Sequence, residues 1–143
     1  MADIVCQLNI PAQLGRGQTA VLTLTLHNRG TRMLQLLKRN TPLEGWLADS
    51  MTVERDGQVV PYIGAMAKRT APSASEYLRL KAGARHIYHA RLQDAYDVAA
   101  PGNYRVVWRG EIMDAFSGTG KPDAERMLPQ VLVCPAVVFN RSP

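Results

Sequence analysis

The chain has 143 residues, 46% of them apolar and 20% charged, with a formal net charge of +5. That balance excludes a disordered or fibrous chain, and the length supports one hydrophobic core without metal or disulfide staples. No apolar run approaches the ~18 residues that span a bilayer, and the basic residues are scattered rather than gathered on one face, so neither a membrane nor nucleic acid is an expected partner.

Met1 to Cys6 lacks the basic start and apolar stretch of a secretion signal. As written, the chain is expected in the cytoplasm; with a signal removed, it would be periplasmic or secreted. Ile4, Cys6, Leu8 and Ile10 then alternate with polar residues, the period of a half-buried strand. Gly15-Arg16-Gly17 makes a turn, and Ala20, Leu22, Leu24 and Leu26 alternate against Thr23, Thr25 and His27 in the clearest strand of the sequence. Asn28-Arg29-Gly30 closes it. Further strands are expected over Met33 to Leu37 and Met51 to Arg55, the latter feeding a hairpin through Asp56-Gly57.

Strands over Glu76 to Leu80 and His86 to Leu92 follow, separated by Lys81-Ala82-Gly83. Tyr104, Val106 and Trp108 alternate with Arg105 and Arg109, and a last strand runs from about Leu132 to Phe139. Ala100-Pro101-Gly102-Asn103-Tyr104 has the form of a tyrosine corner. Together these elements predict an all-β protein, an antiparallel immunoglobulin-like β-sandwich forming one domain over residues 1–143. Two stretches break the pattern: Arg39 to Ser50, and a long loop near 114–130 with helical character expected around Asp123 to Met127.

Little in the chain suggests catalysis, and no cofactor or metal is expected. Among the three histidines, His86 and His89 stand three apart on a predicted strand, so they face opposite sides and cannot share a metal. Gly118-Thr119-Gly120-Lys121 fails as a phosphate loop, because Ala115 replaces the first glycine and Pro122 follows the lysine. The two cysteines, Cys6 and Cys134, match no zinc spacing; two buried thiols is the default reading, and a bridge between the first and last strands is the alternative. Their apolar strand settings disfavour a reactive thiolate.

An ordered set of segments is more distinctive than the composition. Asn40-Thr41-Pro42-Leu43-Glu44-Gly45 is followed by Val53-Glu54-Arg55-Asp56-Gly57, Val60-Pro61-Tyr62-Ile63-Gly64, Lys68-Arg69, Asp94-Ala95-Tyr96-Asp97 and Gly102-Asn103-Tyr104. Over roughly residues 4–140 the chain resembles the non-catalytic N-terminal, propeptide-like region of bacterial deuterolysin-type (aspzincin) zinc metalloendopeptidases, including the peptidyl-Lys enzymes. The His-Glu-x-x-His helix and the Gly-Thr-x-x-Asp segment of their catalytic domain are missing here. The resemblance implies a non-catalytic, prodomain-like protein that acts as a proteinase inhibitor or folding chaperone, with a zinc metalloendopeptidase as protein partner.

Under that reading Lys68 offers a cation to an acidic specificity pocket from a loop shaped by Pro61 and Gly64, with Tyr62 and Arg69 as further partner-binding candidates. The competing reading of Lys68-Arg69 is an ordinary solvated pair. Pro42, Leu43 and Trp46 are the remaining partner-binding candidates, with Leu43 and Trp46 as anchors. The alternative, favoured for 40–45, is a structural crossover that caps the sandwich. On fold alone the chain could equally be a general immunoglobulin-like interaction module with no peptidase partner.

Overall fold

The computed structural model describes residues 3–143. Among them there is no α-helix, and none long and apolar enough to cross a membrane. Strand β1 (Ile4–Asn9) pairs antiparallel with β3 (Val21–Asn28), which pairs with β8 (Arg85–Arg91). The alternation read from the sequence sets which side chains turn inward: Leu22, Leu24 and Leu26 are 0–1% exposed. Burial of a leucine is worth about 1.5–3 kcal/mol, so a one-residue slip that turned all three outward is strongly disfavoured.

The facing sheet has the order β2-β13-β9-β5-β6. It comprises β2 (Gln13–Leu14), β5 (Met51–Arg55), β6 (Gln58–Val59), β9 (Gly102–Trp108) and β13 (Val137–Arg141). β2 runs parallel to β13, while the other pairings are antiparallel. β1 and β2, consecutive in the chain, thus belong to opposite sheets, and strands from both halves of the sequence interleave in each. This is an immunoglobulin-like layout. Val53, Tyr104, Val106, Trp108 and Phe139 face the leucines of β3 in one contiguous core.

Local chemistry fixes the connections. Asp56 and Gly57 take φ of 49° and 84°, the paired positive values of a type I′ turn, which joins Arg55 to Gln58 in register. The Tyr104 hydroxyl donates to the Ala100 carbonyl at 2.6 Å, and the ring stacks on Phe139 with centroids 4.7 Å apart. The tyrosine corner is therefore formed.

Two smaller sheets flank the sandwich. β4 (Leu34–Leu37) lies between β7 (Tyr77–Leu80) and β11 (Ala115–Ser117), and β10 (Glu111–Ile112) pairs with β12 (Gln130–Val131). The helix expected over Asp123 to Met127 does not form. Asp123 instead turns the chain, its carboxylate accepting from the Glu125 amide and its carbonyl from the Arg126 amide. The single last strand is also corrected: β12 and β13 are separate, with Pro135, which lacks an amide proton, in the gap.

The default reading of the cysteines is overturned as well. Cys6 and Cys134 form a disulfide with Cα atoms 4.9 Å apart, across a sequence separation of 128 residues. Leu132 and Cys134 both turn inward, which aims the second sulfur at β1. This crossing also requires Gly110: its φ is +71°, and a Cβ there would collide with the Leu132 carbonyl. The Leu132 amide donates to the Gly110 carbonyl at 2.8 Å, so the two backbones are in direct contact.

Candidate partner-binding surface

The two segments singled out in the sequence, 40–46 and 60–69, lie together on one side of the molecule. In the first, Thr41 caps a single 3-10 turn over Pro42–Glu44, its side chain accepting from the Leu43 amide at 3.1 Å. Proline at the first position suits that turn, since its missing amide proton leaves no unpaired donor. Pro42 and Leu43 are buried, with Leu43 only 4% exposed. They pack into the end of the sandwich instead of facing solvent, unlike the display a partner contact would need. Trp46 is half-buried, and its indole N–H donates to the Arg91 carbonyl at 2.8 Å.

Aromatic packing joins this turn to the second segment. Tyr96, 1% exposed, makes edge contacts with Trp46 at 5.9 Å and Tyr62 at 5.4 Å between ring centroids. Its hydroxyl donates to Asp49 Oδ1 at 2.6 Å and accepts from the Met51 amide at 3.1 Å. Burial, with the Asp49 hydrogen bond, pushes the Tyr96 phenol well above its ordinary range. Burial likewise raises Tyr62, helped by the Asp49 and Glu44 carboxylates. Both phenols therefore stay neutral and act as braces. Tyr96 was visible in the sequence only as one letter of Asp94-Ala95-Tyr96-Asp97; nothing local marked it as the hub.

Residues 60–69 run over this brace without forming a regular strand. The Ile63 amide donates to the Ala95 carbonyl at 2.7 Å, and the Ala67 amide to the Leu47 carbonyl at 3.0 Å. Between these tethers Ile63 and Met66 are 61% and 70% exposed. The adjacent cations then part company. Lys68 is exposed, whereas Arg69 turns back to Glu44 at 2.6 Å and stands 3.7 Å from Glu76.

Glu76 also takes a forked hydrogen bond from the buried Arg39, with Nη2 2.9 and 3.1 Å from its two oxygens. The Ser73 amide, followed by the Arg39 guanidinium, holds the Glu76 carboxyl below its ordinary value. Arg69 is thus a fastening and Lys68 the displayed cation. Among the described residues, no three His, Cys, Asp or Glu side chains converge as a metal-binding group. His86 and His89 face opposite sides of β8, and His89 is engaged with the Thr23 hydroxyl at 2.9 Å.

No family model matches the sequence. A segment of a protein named extracellular protease, from Aeromonas hydrophila, is 37% identical over 110 aligned residues, which take in 74% of this chain. The match spans only 32% of the Aeromonas protein, so the chain corresponds to about a third of that relative. The chain is therefore similar to a protease-associated region. Among solved structures, a CARDB domain from Pyrococcus furiosus in complex with di-metal ions aligns over 98% of this chain and 88% of its own. Its TM-score is 0.41 at 10% identity, too slight a likeness to bear on function.

Proposed function

We propose that residues 1–143 form one non-catalytic, prodomain-like module that binds a deuterolysin-type zinc endopeptidase, as its inhibitor or its folding chaperone. The observation that carries this reading is the 37% identity to part of an extracellular protease. The braced 60–69 segment supports it. A loop already tethered by Tyr62, Tyr96 and Arg69 loses less freedom on binding, and Lys68 stands on it as an exposed cation. The Cys6–Cys134 bridge favours an oxidising compartment, periplasmic or extracellular, over the cytoplasm.

The test is to titrate the purified protein into a Lys-directed deuterolysin-type endopeptidase, following activity and complex formation by gel filtration. In parallel, the unfolded peptidase is refolded with and without it. Stoichiometric inhibition, weakened by Lys68→Ala, supports the inhibitor; a raised refolding yield without lasting inhibition supports the chaperone. If neither activity nor refolding changes and no complex elutes, the module serves a different protein partner.

A further inference from the structure

A second feature borders the 60–69 segment and has no place in the function proposed above. Two clefts adjoin beside β10. One, of about 310 Å³, is bordered by Met66, Asp49 and Arg109; the other, of about 510 Å³, is walled by Ile112, Met127, Pro129 and Val131. Met113 and Glu111 line both and join them into one trough. Three of the six methionines in the chain, Met66, Met113 and Met127, are on its walls. Methionine is unbranched and adapts its shape, which suits a wall that must fit more than one apolar contour. Val131, in the trough, is 64% exposed, and the neighbouring Val133 is 83% exposed.

Backbone and charge both restrict the occupant. β10 and β12 form an isolated two-stranded sheet, so β12 keeps a backbone edge that can pair with an extended segment. The rim cation is already committed: Arg109 donates to the Met51 and Asp49 carbonyls, and its Nε lies 3.6 Å from Glu111. Glu111, with a side chain 76% exposed at the junction, and Asp49 both stand within ion-pair distance of Arg109, at 3.6 and 3.9 Å, so two carboxylates against one guanidinium leave the trough a net negative charge on a chain whose net charge is +5.

We infer that this trough is a docking groove for an extended, apolar polypeptide segment carrying a basic side chain, which pairs with Glu111. The inference is independent of the endopeptidase reading, and failure of inhibition leaves it untouched.

The probe is a short fluorescein-labelled peptide of alternating leucine and serine with one central lysine, compared by fluorescence polarisation with its central-glutamate counterpart. The lysine peptide is expected to bind about two- to fivefold more tightly, an exposed ion pair's worth, and Glu111→Gln to abolish that difference. Val131→Ser, at an exposed position, and Met127→Ser are each expected to weaken binding roughly fivefold, with the melting temperature of Val131→Ser as the check on folding. Absence of binding, equal binding to Val131→Ser, or preference for the glutamate peptide would overturn the inference. So would sedimentation that reveals a dimer dissociated by Val131→Ser, because the occupant would then be a second copy of the chain.

Discussion

Residues 40–46 and 60–69 lie side by side, joined by the Arg69–Glu44 ion pair at 2.6 Å, yet they meet solvent in opposite ways. Both are irregular, both carry proline, and both set apolar residues among polar ones. In the first, a capped turn drives Pro42 and Leu43 into the end of the sandwich. In the second, backbone tethers at Ile63 and Ala67 hold the chain over Tyr96, leaving Ile63, Met66 and Lys68 outside. The difference lies in what is beneath each. The first sends Leu43 into the core, whereas the second crosses Tyr96, against which its own Tyr62 and Trp46 of the first segment already pack.

That contrast can be tested by substitution. Leu43→Ala should be the most damaging to the fold, costing about 2–5 kcal/mol as a cavity opens, while folded molecules keep their partner affinity. Chemical denaturation reads the first, and binding at low temperature the second. Arg69→Ala removes the link between the segments and leaves Glu44 without its cation. A loss of about 1–2 kcal/mol is expected, with faster amide exchange at Ile63 and Ala67 in hydrogen–deuterium measurements.

Thr41→Ala deletes the cap of the first turn and should cost about 1 kcal/mol, visible as a lowered melting temperature. Lys68→Ala should change stability by no more than about 0.5 kcal/mol, being a surface change, so any loss of binding it causes can be read apart from folding. The gentlest probe is pH. Because the folded Glu76 carboxyl is held below its ordinary value of 4.5, its contribution is fully present above that pH. It should fade as the pH drops through the lowered folded value, and Glu76→Gln should flatten the acid limb of the stability curve.

Much of the sandwich was legible because its code is local. The leucines of β3, the Asp56-Gly57 turn and Tyr104 each declare their role through neighbours a few residues away, and all three take it. What was hidden depends on partners far along the chain. The Arg39–Glu76 and Arg69–Glu44 pairs span 37 and 25 residues, so adjacency of Lys68 and Arg69 could not reveal that only one is free. The disulfide spans 128, and two cysteines in apolar strands look the same reduced or joined. Leu43 had its alternative reading because a leucine in a turn does not announce what it covers. Around Asp123, residues suited to a helix are flanked by Pro122 and Pro129, and the local turn prevails.

The disulfide has a further consequence for a molecule that displays a lysine on an exposed loop. Lys68 lies between Cys6 and Cys134 in the chain. If the peptide bond after it were cut, the two pieces would remain one covalent molecule, separable only on a reducing gel. The new ends would also stay close, held by Arg69 on one side and the Ala67–Leu47 hydrogen bond on the other. Cleavage there would release no fragment to diffuse away.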